Sequence, residues 1–242
     1  MGTSIRRIFL IAITALFSGQ AFGSNFLEPM NLLGSEVVGD VEVTYLGTTI
    51  IDDAEALGYL NNCSELKTDN EENVAPKILD PADLGTIVNV GRKIWKVVED
   101  NEPIYEVNRQ LASALPKGIE CWDQLEGWMP PESAHYGITY KNLWGISVVD
   151  FSFRLNYTFG GQYKGLGRFL NNISITPSLI NVMLAYHFYA DVEVPQVVNL
   201  GTTADPIAGA EINLNWRVET AIKKSQNNVS FFVDGQGRLK QL

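Results

Sequence analysis

Histidine and cysteine are nearly missing from this 242-residue chain, which has two of each: His135, His187, Cys63 and Cys121. The two histidines stand 52 residues apart, so there is no HExxH metal helix; the cysteines and histidines form no close cluster of zinc-ligand spacing, and no GxSxG nucleophile elbow is present. No cofactor motif is found, and none is expected to bind. Basic residues are also few, 18 Lys and Arg against 28 Asp and Glu, for a net charge of −10. Such a surface repels phosphate backbones, so nucleic acid is not an expected partner. Beyond residue 23 no apolar run approaches the roughly 20 residues of a spanning helix, so no membrane span is expected in the mature chain.

The one long apolar run lies at the start. Arg6 and Arg7 precede Ile8 to Phe17, and Ala21-Phe22-Gly23 is a small-x-small site. Residues 1–23 are read as a secretory signal peptide, followed by cleavage near Gly23 and Ser24. No lipobox cysteine follows, so the mature chain is expected to be periplasmic or extracellular without a lipid anchor. Losing Arg6 and Arg7 but no acid leaves 16 basic and 28 acidic residues. Most of that excess sits between Gly34 and Asp83, which holds twelve acids and two lysines. In an exported chain the pair Cys63 and Cys121 is expected to form a disulfide.

Two regions differ in texture. In residues 24–130, Val37, Gly39, Val41, Val43 and Tyr45 alternate with polar residues as a strand does, and residues 64–76 read as an acidic loop. Asp80-Pro81-Ala82-Asp83 carries an N-cap, a first-turn proline and a first-turn acid. Leu84, Ile87, Val88, Gly91, Ile94, Trp95 and Val98 follow at helical spacing, so one main amphipathic helix is expected over about 81–100. Residues 131–242 switch to period two. Apolar residues fall on odd positions from Val149 to Phe159 and on even positions from Val182 to Val194 and Ile212 to Val218. A last hairpin is expected across Asp234-Gly235-Gln236-Gly237. The fold expected is therefore α+β but β-dominated: a C-terminal antiparallel β-sandwich, or a small barrel-like sheet, with the helix packed on it.

The stretch TFGGQYKGLGRFL, Thr158 to Leu170, lacks the GxxxxGK[ST] and GxGxxG spacings and is not followed by a helix start. It is read as a hairpin. A three-residue turn at Gly160-Gly161-Gln162 would keep odd positions on one face and set Tyr157 opposite Gly165.

Candidate chemistry is sparse. His187 is expected on the wet face of its strand, and Ser133 and His135 have no local partner that would make a triad. Asp69-Asn70-Glu71-Glu72-Asn73 gathers oxygen ligands without the spacing of a calcium hand. The densest aromatic stretch, Cys121 to Gly145, holds Trp122, Trp128, Tyr136, Tyr140 and Trp144 with Asp123 and Glu126 among them. Rings beside carboxylates suit a sugar platform, but a plug between the two regions is the favoured reading. Asn62, Asn156, Asn172 and Asn228 head glycosylation sequons, of consequence only in a eukaryotic source. The function expected is that of a non-enzymatic binding or interaction module for a glycan or a protein. The alternatives are a small outer-membrane β-barrel, which long alternating strands would fit, and a hydrolase with an unrecognised site.

Overall fold

The structure, a computed structural model, describes residues 40–51, 79–104 and 111–242. Two antiparallel sheets pack face to face. The first is ordered β1 (Asp40–Ile50), β6 (Glu132–Lys141), β7 (Ser147–Tyr163), β8 (Leu166–Val182), β5 (Ala112–Pro116) and β2 (Ile87–Gly91). The second runs β13 (Leu239–Gln241), β12 (Lys224–Asp234), β11 (Ala208–Glu219), β9 (His187–Glu193), β3 (Ile94–Glu99) and β4 (Glu102–Pro103), with β10 (Val197–Asn199) also on β11. Each sheet ends in edge strands, so the described residues form no closed barrel. Strands from either side of residue 130 enter both sheets, so the sandwich is not confined to the C-terminal region.

Period two decides which side chains meet. Phe151, Phe153, Leu155 and Tyr157 of β7 point inward, as do Phe188, Ala190 and Val192 of β9 and Ile212, Leu214, Trp216 and Val218 of β11. Aromatic rings join the two sheets: Tyr136 to Phe231 at 4.7 Å between centroids and Phe151 to Phe188 at 5.0 Å. Each such pair adds about 0.5–1.5 kcal/mol beyond the area it buries. The buried Tyr140 hydroxyl accepts from Trp216 Nε1 at 2.9 Å and from Asn227 Nδ2 at 2.5 Å, a polar clasp between the sheets.

The main helix expected over 81–100 does not form. Only one turn, α1 (Pro81–Leu84), is helical, with the Asp80 carboxylate accepting from Ala82 N at 2.8 Å. The cap was read correctly and its continuation was not. Thr86, Ile87, Val88 and Val90 are β-branched and stiff at χ1, as are Ile94, Val97 and Val98, and this composition favours strands β2 and β3. The apolar spacing that fits a helix there also fits two short strands feeding different sheets.

The register expected around the glycine stretch is also corrected. The β7–β8 turn is Lys164-Gly165, with φ of 51° and 78°, and Tyr163 pairs with Leu166. Positive φ at both central residues is the type I′ geometry that matches strand twist, and glycine supplies the second position without strain. Tyr157 does not pair with Gly165. Irregularities between Asn156 and Thr158 and between Phe159 and Tyr163 absorb the change of parity, giving Phe159 opposite Leu170 and Gly161 opposite Phe169. The 234–237 hairpin does form, between β12 and β13, with Asp234 Oδ1 accepting from Gln236 N and Arg238 N.

Candidate functional site

The aromatic residues singled out in the sequence are dispersed rather than gathered. Tyr136 and Tyr140 lie inward on β6 at 4% and 0% exposure and belong to the core, not to a ligand platform. Trp128 is half-buried: its indole N–H donates to Trp122 O at 3.1 Å, and its ring lies over Gly161. Glu126 ties the same segment to the end of β7 through paired backbone bonds with Gln162 at 2.9 and 2.7 Å. Gln124 Oε1 accepts from the backbone of Glu120 and Cys121 around the short turn Trp122–Gln124, and Asp123 and Glu126 are exposed beside it. This segment behaves as a plug on one end of the sandwich. Trp144 is half-exposed on the β6–β7 loop at the opposite end. Cys63, the sequon at Asn62 and the Asp69–Asn73 cluster lie outside the described residues. Asn156 and Asn172 are 2% exposed, so this fold leaves no room for a glycan on either.

The histidines take different surroundings. His135 Nε2 is 3.0 Å from Thr49 Oγ1 on the neighbouring edge strand. His187, on the wet face as expected, meets the Asp100 carboxylate through Nδ1, and Tyr189 Oη lies 3.5 Å from the same oxygen. Among the described residues, no serine or cysteine hydrogen-bonds to either histidine, and Thr49 is the one threonine that does. No group of three or more His, Cys, Asp and Glu is placed to hold a metal among the described residues.

Sequence reasoning missed the outer face of the second sheet. Across β9, β11 and β12, polar residues stand opposite one another in rows: Asp191–Asn215–Asn228 and Tyr189–Arg217–Gln226. The even–odd alternation that sends Phe188, Trp216 and Phe231 inward sends these six outward. They line an open cleft of about 450 Å³. Asn215 Nδ2 donates to Asp191 Oδ2 at 3.2 Å, and the Arg217 guanidinium stacks over the Tyr189 ring at 4.1 Å. Glu219, next along β11, lies 2.6 Å from Arg217 Nε and 2.9 Å from Lys224 Nζ. The Lys224 hydrogen bond, reinforced by the Arg217 charge, holds its carboxyl below the usual range. A second cleft, about 420 Å³, shares Tyr189 and reaches His187 and Asp100.

Compared with known proteins, the chain matches no family, no characterised protein and no solved structure. The functional reading therefore rests on the surface chemistry.

That chemistry is polar and rich in hydrogen-bonding groups. The cleft offers amide donors and acceptors from Asn215, Asn228 and Gln226, one carboxylate already engaged by an amide, and one arginine already matched by Glu219 and Tyr189. Arg217 is paired with Glu219, and Asp191 is engaged by an amide, so what the cleft presents is an array of carboxamides beside one carboxylate. The array stands on three paired strands, which fix its spacing near the 4.8 Å between neighbouring strands.

Proposed function

We propose that this chain is an exported, non-enzymatic binding protein whose ligand is hydroxyl-rich, a neutral glycan segment lying across the outer face of the second sheet. The observation that carries this reading is the pair of cross-strand rows, Asp191–Asn215–Asn228 and Tyr189–Arg217–Gln226, in one open cleft. Carboxamides serve hydroxyls well because each supplies both a donor and an acceptor. Compensated charges disfavour phosphorylated or strongly acidic ligands, which would have to displace Glu219 from Arg217. The Tyr189 ring adds an apolar edge of the kind that packs on sugar C–H groups. Export through residues 1–23 and a Cys63–Cys121 disulfide belong to the same proposal; such a bridge would suit an oxidising compartment. The platform role first considered for Trp122, Trp128, Tyr136, Tyr140 and Trp144 is transferred to this cleft.

Catalysis is the weaker reading. His187 and Asp100 form an oriented pair, but no hydroxyl or thiol nucleophile touches the imidazole among the described residues.

A polysaccharide screen on the purified leaderless chain tests the proposal. Retention on a neutral glycan is expected, and Asn215→Ala or Gln226→Ala should weaken it at least tenfold while circular dichroism and melting stay unchanged. Both side chains are on the wet face, so folding is not at issue. Binding that survives Asn215→Ala together with Gln226→Ala, or no binding to any neutral glycan, refutes the assignment.

A further inference from the structure

The end of the sandwich opposite the Trp128 plug carries a set of exposed apolar tips. Three connections meet there. The β6–β7 loop bears Leu143, Trp144 and Ile146 at 63%, 52% and 46% exposure. The β8–β9 turn bears Met183 and Leu184 at 39% and 89%, and the β11–β12 turn bears Ile222 at 66%. Register makes them neighbours. Met183 N donates to Val148 O, two residues from Ile146. Glu219, which precedes the β11–β12 turn, pairs with His187, which follows the β8–β9 turn. The Tyr140–Trp216–Asn227 clasp aligns the two sheets just behind the tips.

We propose that these tips dock the protein on a phospholipid bilayer surface, entering its headgroup region without spanning it. The side chains stand on separate protruding turns, which a fluid interface can envelop one by one, and they form no groove for a helix or strand. Tryptophan with Leu, Ile and Met is the composition that partitions into the headgroup zone. The loop structure supports the exposure: Asn142 is buried, and its Oδ1 accepts from Trp144 N and Ile146 N at 3.0 Å each, which fixes the backbone of that tip.

Charge fits the same occupant. Residues 142–146, 183–186 and 220–222 contain no acid and no base. Lysines border two of the tips: Lys141 before the first, Lys223 and Lys224 after the third, positioned to reach lipid phosphates while the tips insert. The acids nearest them are engaged, Glu42 with Lys141, Glu219 with Arg217 and Lys224, and Asp100 with His187. Asp40, Glu99 and Glu102 also border this end: Asp40 pairs with Lys141, and Asn101, in the turn between Glu99 and Glu102, bonds to Tyr186 and Phe188 beside the β8–β9 turn, so the acids ring the uncharged tips rather than lie among them. Lys223 has no ion pair among the described residues and is available to a phosphate.

Flotation of the leaderless chain with phosphatidylethanolamine–phosphatidylglycerol vesicles tests this. Co-flotation is expected, with a blue shift in tryptophan emission that Trp144→Phe removes, because Trp95 and Trp216 are buried and Trp122 and Trp128 half-buried. Leu143→Ser with Leu184→Ser should lower the bound fraction on the order of tenfold. Leu200→Ser, at the other end of the sandwich, should leave it unchanged. Absence of co-flotation overturns the proposal, as does an equal loss in Leu200→Ser. A dimer without lipid that Leu143→Ser with Leu184→Ser dissolves would assign the tips to a second copy of the chain and overturn it too.

Discussion

Gly161→Ala separates a structural Trp128 from a ligand-binding one. A Cβ built on Gly161 would lie 2.4 Å from Trp128 Cη2, 2.5 Å from Cζ2 and 2.7 Å from Cζ3. The indole cannot simply swing aside, because its N–H is bonded to Trp122 O and the adjacent Met129 N donates to Phe159 O at 2.9 Å. Overpacking of this kind costs about 1–3 kcal/mol. In a domain of this size each kcal/mol moves the melting midpoint by about 2–4 °C. Trp128→Ala alone should also destabilise, through lost ring contacts. The decisive measurement is the double variant. Gly161 does not sit at positive φ and the three atoms nearest that Cβ all belong to the indole, so with the ring gone alanine loses its closest clashes and restricts the unfolded chain, a gain of about 0.4–1 kcal/mol. The effect of Gly161→Ala should therefore change sign between the two backgrounds. Urea unfolding followed by circular dichroism reads this without relying on the tryptophan removed. An equal cost of Gly161→Ala in both backgrounds, or no cost in the wild type, would refute the contact.

Two further outcomes follow from the core. Tyr140→Phe strips the acceptor from Trp216 Nε1 and Asn227 Nδ2, and leaving a buried donor unsatisfied costs about 1–3 kcal/mol, read by chemical denaturation. At alkaline pH, Tyr136, Tyr157 and Tyr186 resist ionisation, chiefly because they are buried; for Tyr157 the hydrogen bond to Glu132 adds to the effect. Their raised folded pKa values leave stability intact below about pH 10, where the unfolded phenols begin to ionise, and remove about 1.4 kcal/mol per tyrosine for each pH unit above it. Tyrosinate absorbance from these three should appear only together with loss of the fold, and a smooth titration of all nine tyrosines in the folded state would contradict it.

What the sequence showed clearly was alternation. Where apolar residues hold one parity for four or more in succession, as at Val149 to Phe159 or Ile212 to Val218, inward and outward faces are readable from the sequence. Where two periods overlapped, spacing alone misled. Leu84, Ile87, Val88, Gly91 and Ile94 satisfy a helical stripe, but the β-branched run Thr86-Ile87-Val88 and Val90 makes a poor helix interior, and that composition was the better arbiter. The glycine stretch failed differently. Continuing one parity through Thr158 to Leu170 ignored bulges, which reset the facing of every later residue and leave only the glycines as a trace in the sequence.

The candidate site was hidden for a related reason. Tryptophans are rare and chemically distinctive, yet large rings are the residues a sandwich most needs inside or as plugs. Asn215, Asn228, Gln226 and Asp191 are unremarkable one at a time and lie on three separate strands, up to 37 residues apart in the chain. They become a site only through register, when Asn215 stands between Asp191 and Asn228 on three adjacent strands. The same pairing that places Trp216 on the Tyr140 clasp turns its neighbours Asn215 and Arg217 to the outside. Displacing β12 by one residue against β11 would therefore bury Asn228 and Gln226 and expose Phe231. The hydrophobic core that opposes this slip also holds the polar array in place, so the proposed glycan binding should be lost at the same denaturant concentration as the near-ultraviolet signal of the buried aromatics.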